Sequence, residues 1–229
     1  TGAYTVLLPS LNLRAEVIPR KLVVRATASD VLARPAPSQM APNVKLDSVV
    51  LTGSRGNPGL KPYRAWQYDL GLEYYISRTN YVSITGFRKD IKSFIDTASH
   101  EEEIDGQVYT IKMPINGTQH VTIQGFEAGA QLGLDFLPGL LGNLGVTANY
   151  TFNTDSGYEG KDYFTGASLP FPGVSRNSYN ASVFYDDGHF AIRGSYNWRS
   201  RYLINAVGRG NNPSFGEAFG QFDASASYI

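Results

Sequence analysis

The chain has 229 residues, with 20 Lys and Arg balancing 20 Asp and Glu, and no cysteine. The balanced charge leaves no field to draw nucleic acid or an acidic substrate, and without thiols neither a disulfide framework nor a thiolate metal site can form. No apolar run approaches the roughly 18–20 residues of a membrane-spanning helix, and residues 1–10 lack the basic start and small-residue cleavage site of a secretory leader.

Mildly negative mean hydropathy suits a soluble protein, but a β-barrel wall alternates apolar and polar residues and has the same bland mean. In chain order, alternation of period two predicts strands at 11–17, 22–29, 68–76, 81–88, 126–136, 144–153, 179–186, 190–199 and 222–228. The stretch 126–136 sets the pattern. Phe126, Ala128, Ala130, Leu132, Leu134 and Phe136 take one face, while Glu127, Gly129, Gln131, Gly133 and Asp135 take the other. About 11 residues is the length of a tilted strand crossing a bilayer. On eight of the nine strands a frame exists whose apolar face carries no Asp, Glu, Lys or Arg. The opposite faces hold Arg14, Glu16, Arg25, Asp69, Glu73 and Arg193 among others. A lipid-facing Lys or Arg at the bilayer midplane costs roughly 2–4 kcal/mol, which accounts for such a ban. In 81–88 both faces are mixed and no frame is assigned.

The connections alternate in length. Short turns at 19–21, 78–80, 137–143 and 187–189 are interleaved with long segments at 31–63, 92–121, 154–175 and 200–220. That is the plan of an outer-membrane barrel, with short turns toward the periplasm and long loops outside. A soluble sandwich has no reason to gather every long loop at one end. The fold expected is therefore all-β, an antiparallel transmembrane β-barrel. Nine strands cannot close an even-stranded barrel, so the chain is expected to be a fragment, with its remaining strands elsewhere in a parent protein.

Chemistry-bearing motifs are few. His100, His120 and His189 share no metal-ligand spacing, and no metal site is expected. The run His100-Glu101-Glu102-Glu103 with Asp105 reads as a solvated loop; Ca²⁺, or lipopolysaccharide bridged through a cation, is the alternative. Gly208-Arg209-Gly210 lacks the third glycine and the strand-to-helix setting of a dinucleotide fingerprint, and Asn116-Gly117-Thr118 is a glycosylation triplet without meaning in a bacterial barrel. No nucleophile triad or G-x-S-x-G is present, so no catalytic residues, enzyme activity or cofactor are expected. Tyr74, Tyr81, Tyr150, Tyr185, Tyr196 and Trp198 read as interfacial girdle residues. Segment 154–175 differs, because Tyr158, Tyr163, Phe164 and Phe171 are mixed with Asp155, Glu159, Lys161 and Asp162. Ring faces beside fixed polar groups suit a sugar or an aromatic siderophore, making Tyr158, Asp162, Tyr163, Phe164 and Asp155 the candidate ligand contacts.

Several phrases resemble the TonB-dependent outer-membrane receptors. They are Leu8-Pro9-Ser10-Leu11-Asn12-Leu13, Arg34-Pro35, Gly56-Asn57-Pro58-Gly59-Leu60-Lys61-Pro62 and Tyr68-Asp69-Leu70-Gly71-Leu72-Glu73. Gly86-Phe87-Arg88-Lys89-Asp90-Ile91, Gly125-Phe126-Glu127, Leu169-Pro170, Asn177-Ser178-Tyr179-Asn180 and Tyr196-Asn197-Trp198-Arg199 follow in the family's order. Tyr63 departs from it, since many relatives carry Glu there. The resemblance covers nearly the whole chain. It implies a barrel of about 22 strands with an N-terminal plug in its lumen, of which residues 1–229 form roughly strands 12 to 20, without the plug, the TonB-contacting segment or the final strands. It also implies the outer membrane of a Gram-negative bacterium, contact with lipid and lipopolysaccharide, and coupling through the plug to the TonB–ExbB–ExbD complex. The phrasing is most similar to the proteobacterial branch that includes oligosaccharide importers, so a scarce oligosaccharide is the expected solute. A ferric siderophore is the alternative, with Arg34, Arg55, Arg199, Arg201 and Arg209 to offset its charge. A passive porin is a third reading, disfavoured by the signature phrases and the long loops.

Overall fold

A computed structural model describes residues 5–228; the side chain of Arg209 also lies outside the described ones. In chain order the elements are β1 (Ser10–Ile18), β2 (Leu22–Ala33), α1 (Pro37–Met40), β3 (Val44–Asp47), β4 (Thr52–Arg55), β5 (Tyr63–Tyr75), β6 (Tyr81–Ser93), β7 (Ile95–Ile104), β8 (Gln107–Asn116) and β9 (Val121–Gly133). There follow β10 (Leu144–Ser156), β11 (Asn177–Asp186), β12 (Phe190–Arg199), β13 (Tyr202–Asn205), β14 (Ser214–Gly216) and β15 (Phe219–Tyr228). Nine of these strands form one antiparallel sheet in the order β1-β2-β5-β6-β9-β10-β11-β12-β15, which is their order along the chain. They are the nine strands that alternation predicts.

Register joins the separate strand frames into faces. Ala15, Val24, Leu72, Ile84, Ala128, Tyr150, Tyr179, Trp198 and Gly220 stand opposite one another in succession across all nine strands. One residue away, Arg14, Arg25, Gly71, Thr85, Glu127, Thr151, Ser178, Arg199 and Phe219 do the same on the other face. A one-residue slip would exchange the faces, so this agreement specifies the register. It also assigns β6: Val82, Ile84 and Gly86 lie on the apolar face, and Tyr81 pairs with Gln131 on the polar one. Tyr81 therefore leaves the expected girdle; its ring meets Tyr75 at 5.8 Å on the polar side.

Several strand bounds shift toward the long-connection end. β9 starts at Val121 and stops at Gly133 rather than spanning 126–136, and β5 begins at Tyr63. Beyond Gly133, Leu134 still donates to the Leu144 carbonyl. Leu137 then donates back to Leu134, and the chain turns away with Phe136 exposed. Alternation cannot announce the upper strand ends, because there Tyr63, Ile91 and Ile123 on the polar face pack against an apolar cluster instead of water.

The long connections carry structure of their own. Segment 31–63 contains α1, β3 and β4, and segment 92–121 is largely the β7–β8 hairpin. The two join in a four-stranded sheet, β3-β4-β8-β7, through a parallel pairing of β4 with β8. Segment 200–220 contributes the short β13–β14 pair, while 154–175 has a single bridge between Lys161 and Ser168. Among the described residues a buried hydrophobic cluster lies here, in what we term the crown. Phe94, Val121, Tyr158, Leu169, Phe171, Leu203 and Ala206 come from three long connections and one strand top.

Candidate functional site

Within segment 154–175 the five sequence-predicted ligand contacts separate into two groups. Tyr158 is buried, edge-to-face with Phe94 and Phe171 at 6.0 and 5.5 Å, and its hydroxyl donates to Asp96 Oδ2 at 3.2 Å. Burial, and then the Asp96 carboxylate, push the phenol well above its ordinary range. This ring holds the crown together and offers no open platform. Asp155 likewise faces inward to the loop, accepting the Phe171 backbone N–H at 2.9 Å.

Asp162 builds a turn. Its Oδ1 accepts the backbone N–H groups of Phe164 and Thr165, both at 2.9 Å, and Gly166 follows at φ 69°, a left-handed value that favours glycine. The Thr165 N–H, and after it that of Phe164, hold the carboxyl below the usual range. On this turn Tyr163 and Phe164 stand 72% and 64% exposed, edge-to-face at 5.1 Å. Of the predicted set, only this pair presents rings to solvent.

The arginines also divide. Arg55 grips Glu102 with two bonds of 2.7 and 3.2 Å, with His100 alongside. Glu102 belongs to β7, so part of the acidic run expected as a solvated loop is in fact a strand, tied to β4 across β8 by this pair. Arg201 pairs with Glu217 at 3.1 Å and lies 3.9 Å over the Phe215 ring. Arg199 instead donates to Ser175 Oγ at 2.9 Å and covers the Tyr202 ring at 3.8 Å. It reaches the polar face of the main sheet, where it lines a cavity of about 620 Å³ with Asp69, Lys89, Glu127 and Asn153. Arg34, just past β2, is engaged as well.

Sequence reasoning places charged residues on the polar faces of the strands but does not pair them across strands. Arg25 bonds Glu73 at 2.7 Å, Thr27 bonds Asp69 at 2.7 Å, and Asn149 bonds Asn180 at 3.2 Å across β10 and β11. Each residue is unremarkable alone, and only register brings the partners together.

The model of the TonB dependent receptor-like β-barrel matches residues 1–229. No curated protein sequence matches the chain. Among solved structures, a ferric enterobactin receptor (PfeA) mutant from Pseudomonas aeruginosa is similar over 96% of this chain and 32% of its own, at 18% identity and TM-score 0.64. The siderophore receptor PirA from Acinetobacter baumannii is similar over 96% and 34%, at 22% identity and TM-score 0.60. The copper transporter OprC is similar over 96% and 31%, at 16% identity and TM-score 0.59. At these identities the likeness is one of fold, and the chain spans about a third of the length of each relative. A nine-stranded meander with one apolar and one polar face, long connections gathered at one end, and a family match from first residue to last lead to one conclusion: the chain belongs to the TonB-dependent receptor β-barrel family.

Proposed function

We propose that residues 1–229 form part of the wall and crown of an outer-membrane importer that takes up a scarce solute too bulky for porins. The apolar face meets lipid and lipopolysaccharide, and the polar face meets the plug. Work comes from the TonB–ExbB–ExbD complex acting through that plug. The observation that carries the solute reading is the Tyr163–Phe164 pair, two exposed rings set at right angles on a rigid turn. Such rings stack on a flat apolar ligand face. Because Arg55 and Arg201 already meet carboxylates, this part of the crown suits a neutral ligand, and an oligosaccharide is the preferred solute.

A ferric siderophore is the second reading. Arg199 supports it, since the cation meets a hydroxyl and a ring rather than a carboxylate, and so do the names of two fold relatives. Isothermal titration of the full-length receptor against neutral oligosaccharides and ferric siderophores distinguishes them. On the preferred reading, Tyr163→Ala weakens sugar binding by about tenfold, the equivalent of roughly 1.4 kcal/mol of lost ring contact, and Arg199→Ala leaves it unchanged. Siderophore binding that collapses in Arg199→Ala, with no sugar binding at all, establishes the second.

A further inference from the structure

Backbone register in the crown sheet sets Lys45 of β3 opposite Ser54 of β4, Ser54 opposite Lys112 of β8, and Lys112 opposite Ser99 of β7. Paired residues share a face, so two ammonium groups flank one hydroxyl on the same side of the sheet. Neighbouring strands lie about 4.8 Å apart, which sets the two lysine backbones roughly 10 Å apart and leaves room for one small anionic group between them. This face borders two cavities, of about 500 and 810 Å³, and Lys45, Ser54 and Lys112 line both. The row is where the cavities meet, so an extended ligand can cross it. The smaller cavity is also walled by the segment around α1, including Ser38 and Asn43. Gly56 lets that segment close in. Its N–H donates to the Ala41 carbonyl at 3.1 Å, and a Cβ there would stand 2.3 Å from the same oxygen.

Charge singles out the smaller cavity. Among the described residues its lining holds Lys45, Lys112 and Arg55 and no carboxylate. Glu102 offsets Arg55 through the pair described above. Neither lysine is in an ion pair among the described residues, and Lys112 gives one of its three donors to the Gly208 carbonyl. Asp47 lines only the larger cavity, where its carboxylate accepts the Val49 and Val50 N–H groups at 3.0 and 3.3 Å. Glu101, opposite Thr110 in the next row, lines neither. Two positive charges thus stand unmatched among Ser38, Asn43, Ser54 and Thr97. Ammonium groups are compact point charges that one carboxylate can bridge, and side-chain hydroxyls and amides suit a ligand rich in hydroxyls. A uronate sugar combines the two.

We propose that this cleft binds an acidic oligosaccharide, with a uronate carboxylate between Lys45 and Lys112 over Ser54 and the adjoining sugar units running into the larger cavity. Both volumes fall in the roughly 300–1,000 Å³ range of small-molecule sites. No residue of segment 154–175 lines either cavity, so the site is separate from the Tyr163–Phe164 pair. It goes beyond the solute reading, capturing an acidic glycan whichever solute those rings meet. Arg55 and Arg201 stay matched, so the neutral surroundings inferred from them stand; the excess charge is that of the lysines.

Isothermal titration of the full-length receptor at neutral pH with trimers of galacturonate and of mannuronate tests the site. Wild type binds at least one of them. Lys45→Gln and Lys112→Gln each weaken that binding about tenfold or more, as loss of a charged hydrogen bond implies. Lys21→Gln, the same charge change at a short turn, leaves it unchanged, and so does Tyr163→Ala. Trimers with their carboxyl groups reduced to alcohols do not bind. Failure of both uronates to bind wild type, equal binding of the reduced trimers, or unchanged binding in both lysine variants overturns the proposal. Inorganic phosphate or sulfate that displaces the trimers at equal concentration also overturns it, since the cleft would then take any small anion. Heat-modifiable gel mobility checks that each variant folds, and Lys45→Gln, altering an exposed side chain, keeps the test decisive if Lys112→Gln disturbs the Gly208 contact. Uronate binding lost in Tyr163→Ala would move the acidic sugar onto the ring pair and refute the separate site. Failure of the solute reading shows independently, as neutral oligosaccharide binding untouched by Tyr163→Ala.

Discussion

Moving an arginine by a few positions along β9 and β10 tests the assignment of faces most directly. Ala128 lies between Ile84 and Tyr150 on the apolar face, well inside the charge-free run from Phe126 to Leu132. An arginine there faces hydrocarbon near mid-depth and costs about 2–4 kcal/mol, which lowers the ratio of folded to unfolded receptor by roughly 30- to 900-fold. Leu132 and Val146 face each other nearer the short turns, where the penalty falls toward about 1 kcal/mol. Gln131 and Thr147, opposite each other on the polar face, offer an arginine water and polar neighbours. Gln131→Arg gives up one bond, from Nε2 to the Thr79 carbonyl at 3.1 Å, at a cost of about 1 kcal/mol. The expected order of damage in the full-length receptor is Ala128→Arg, then Leu132→Arg and Val146→Arg, with Gln131→Arg and Thr147→Arg least affected. Heat-modifiable gel mobility gives the folded fraction, and denaturant titration in lipid gives the size. If Ala128→Arg and Gln131→Arg are tolerated alike, the faces are wrongly assigned.

Three other outcomes follow from the geometry. Residues 1–229 expressed alone should aggregate, because β1 and β15 are each paired on one side only and lipid cannot satisfy their open backbone groups; a detergent-solubilised monomer that unfolds cooperatively would count against this. Phe94→Ala should open the crown, removing a ring packed on both Tyr158 and Phe171 at about 3–5 kcal/mol, and should speed limited proteolysis within 95–116 and 154–175; wild-type cleavage rates would refute the shared core. The depressed Asp162 carboxyl stabilises its turn above its unfolded value, and that support is lost as pH falls through the lower folded value. A ¹⁹F signal from fluorotyrosine at position 163 should therefore shift on acidification below the usual carboxylate range, and Asp162→Asn should abolish the shift; an unchanged titration in the variant would show that the turn does not depend on this charge.

What the sequence made legible, and what it hid, divides along a physical line. Period-two alternation records a constraint felt one strand at a time, with lipid on one side and polar surroundings on the other. Eight frames read independently therefore fall on one face once backbone register joins them, from Ala15 across to Gly220, and register supplies the ninth, that of β6. The signal weakens where the two surroundings stop differing. At the upper ends of β6 and β9, Ile91 and Ile123 face a loop core rather than polar surroundings, so these strands look shorter or shifted in sequence. Within the crown no period exists to read. Tyr158 and Tyr163 lie five positions apart in one segment of uniform composition, yet one is 9% exposed and the other 72%. What separates them is Phe94, which arrives from another connection, and a turn built by Asp162. Composition could mark this segment as unusual among the loops. Only the long-range packing decides which of its rings are free to meet a ligand.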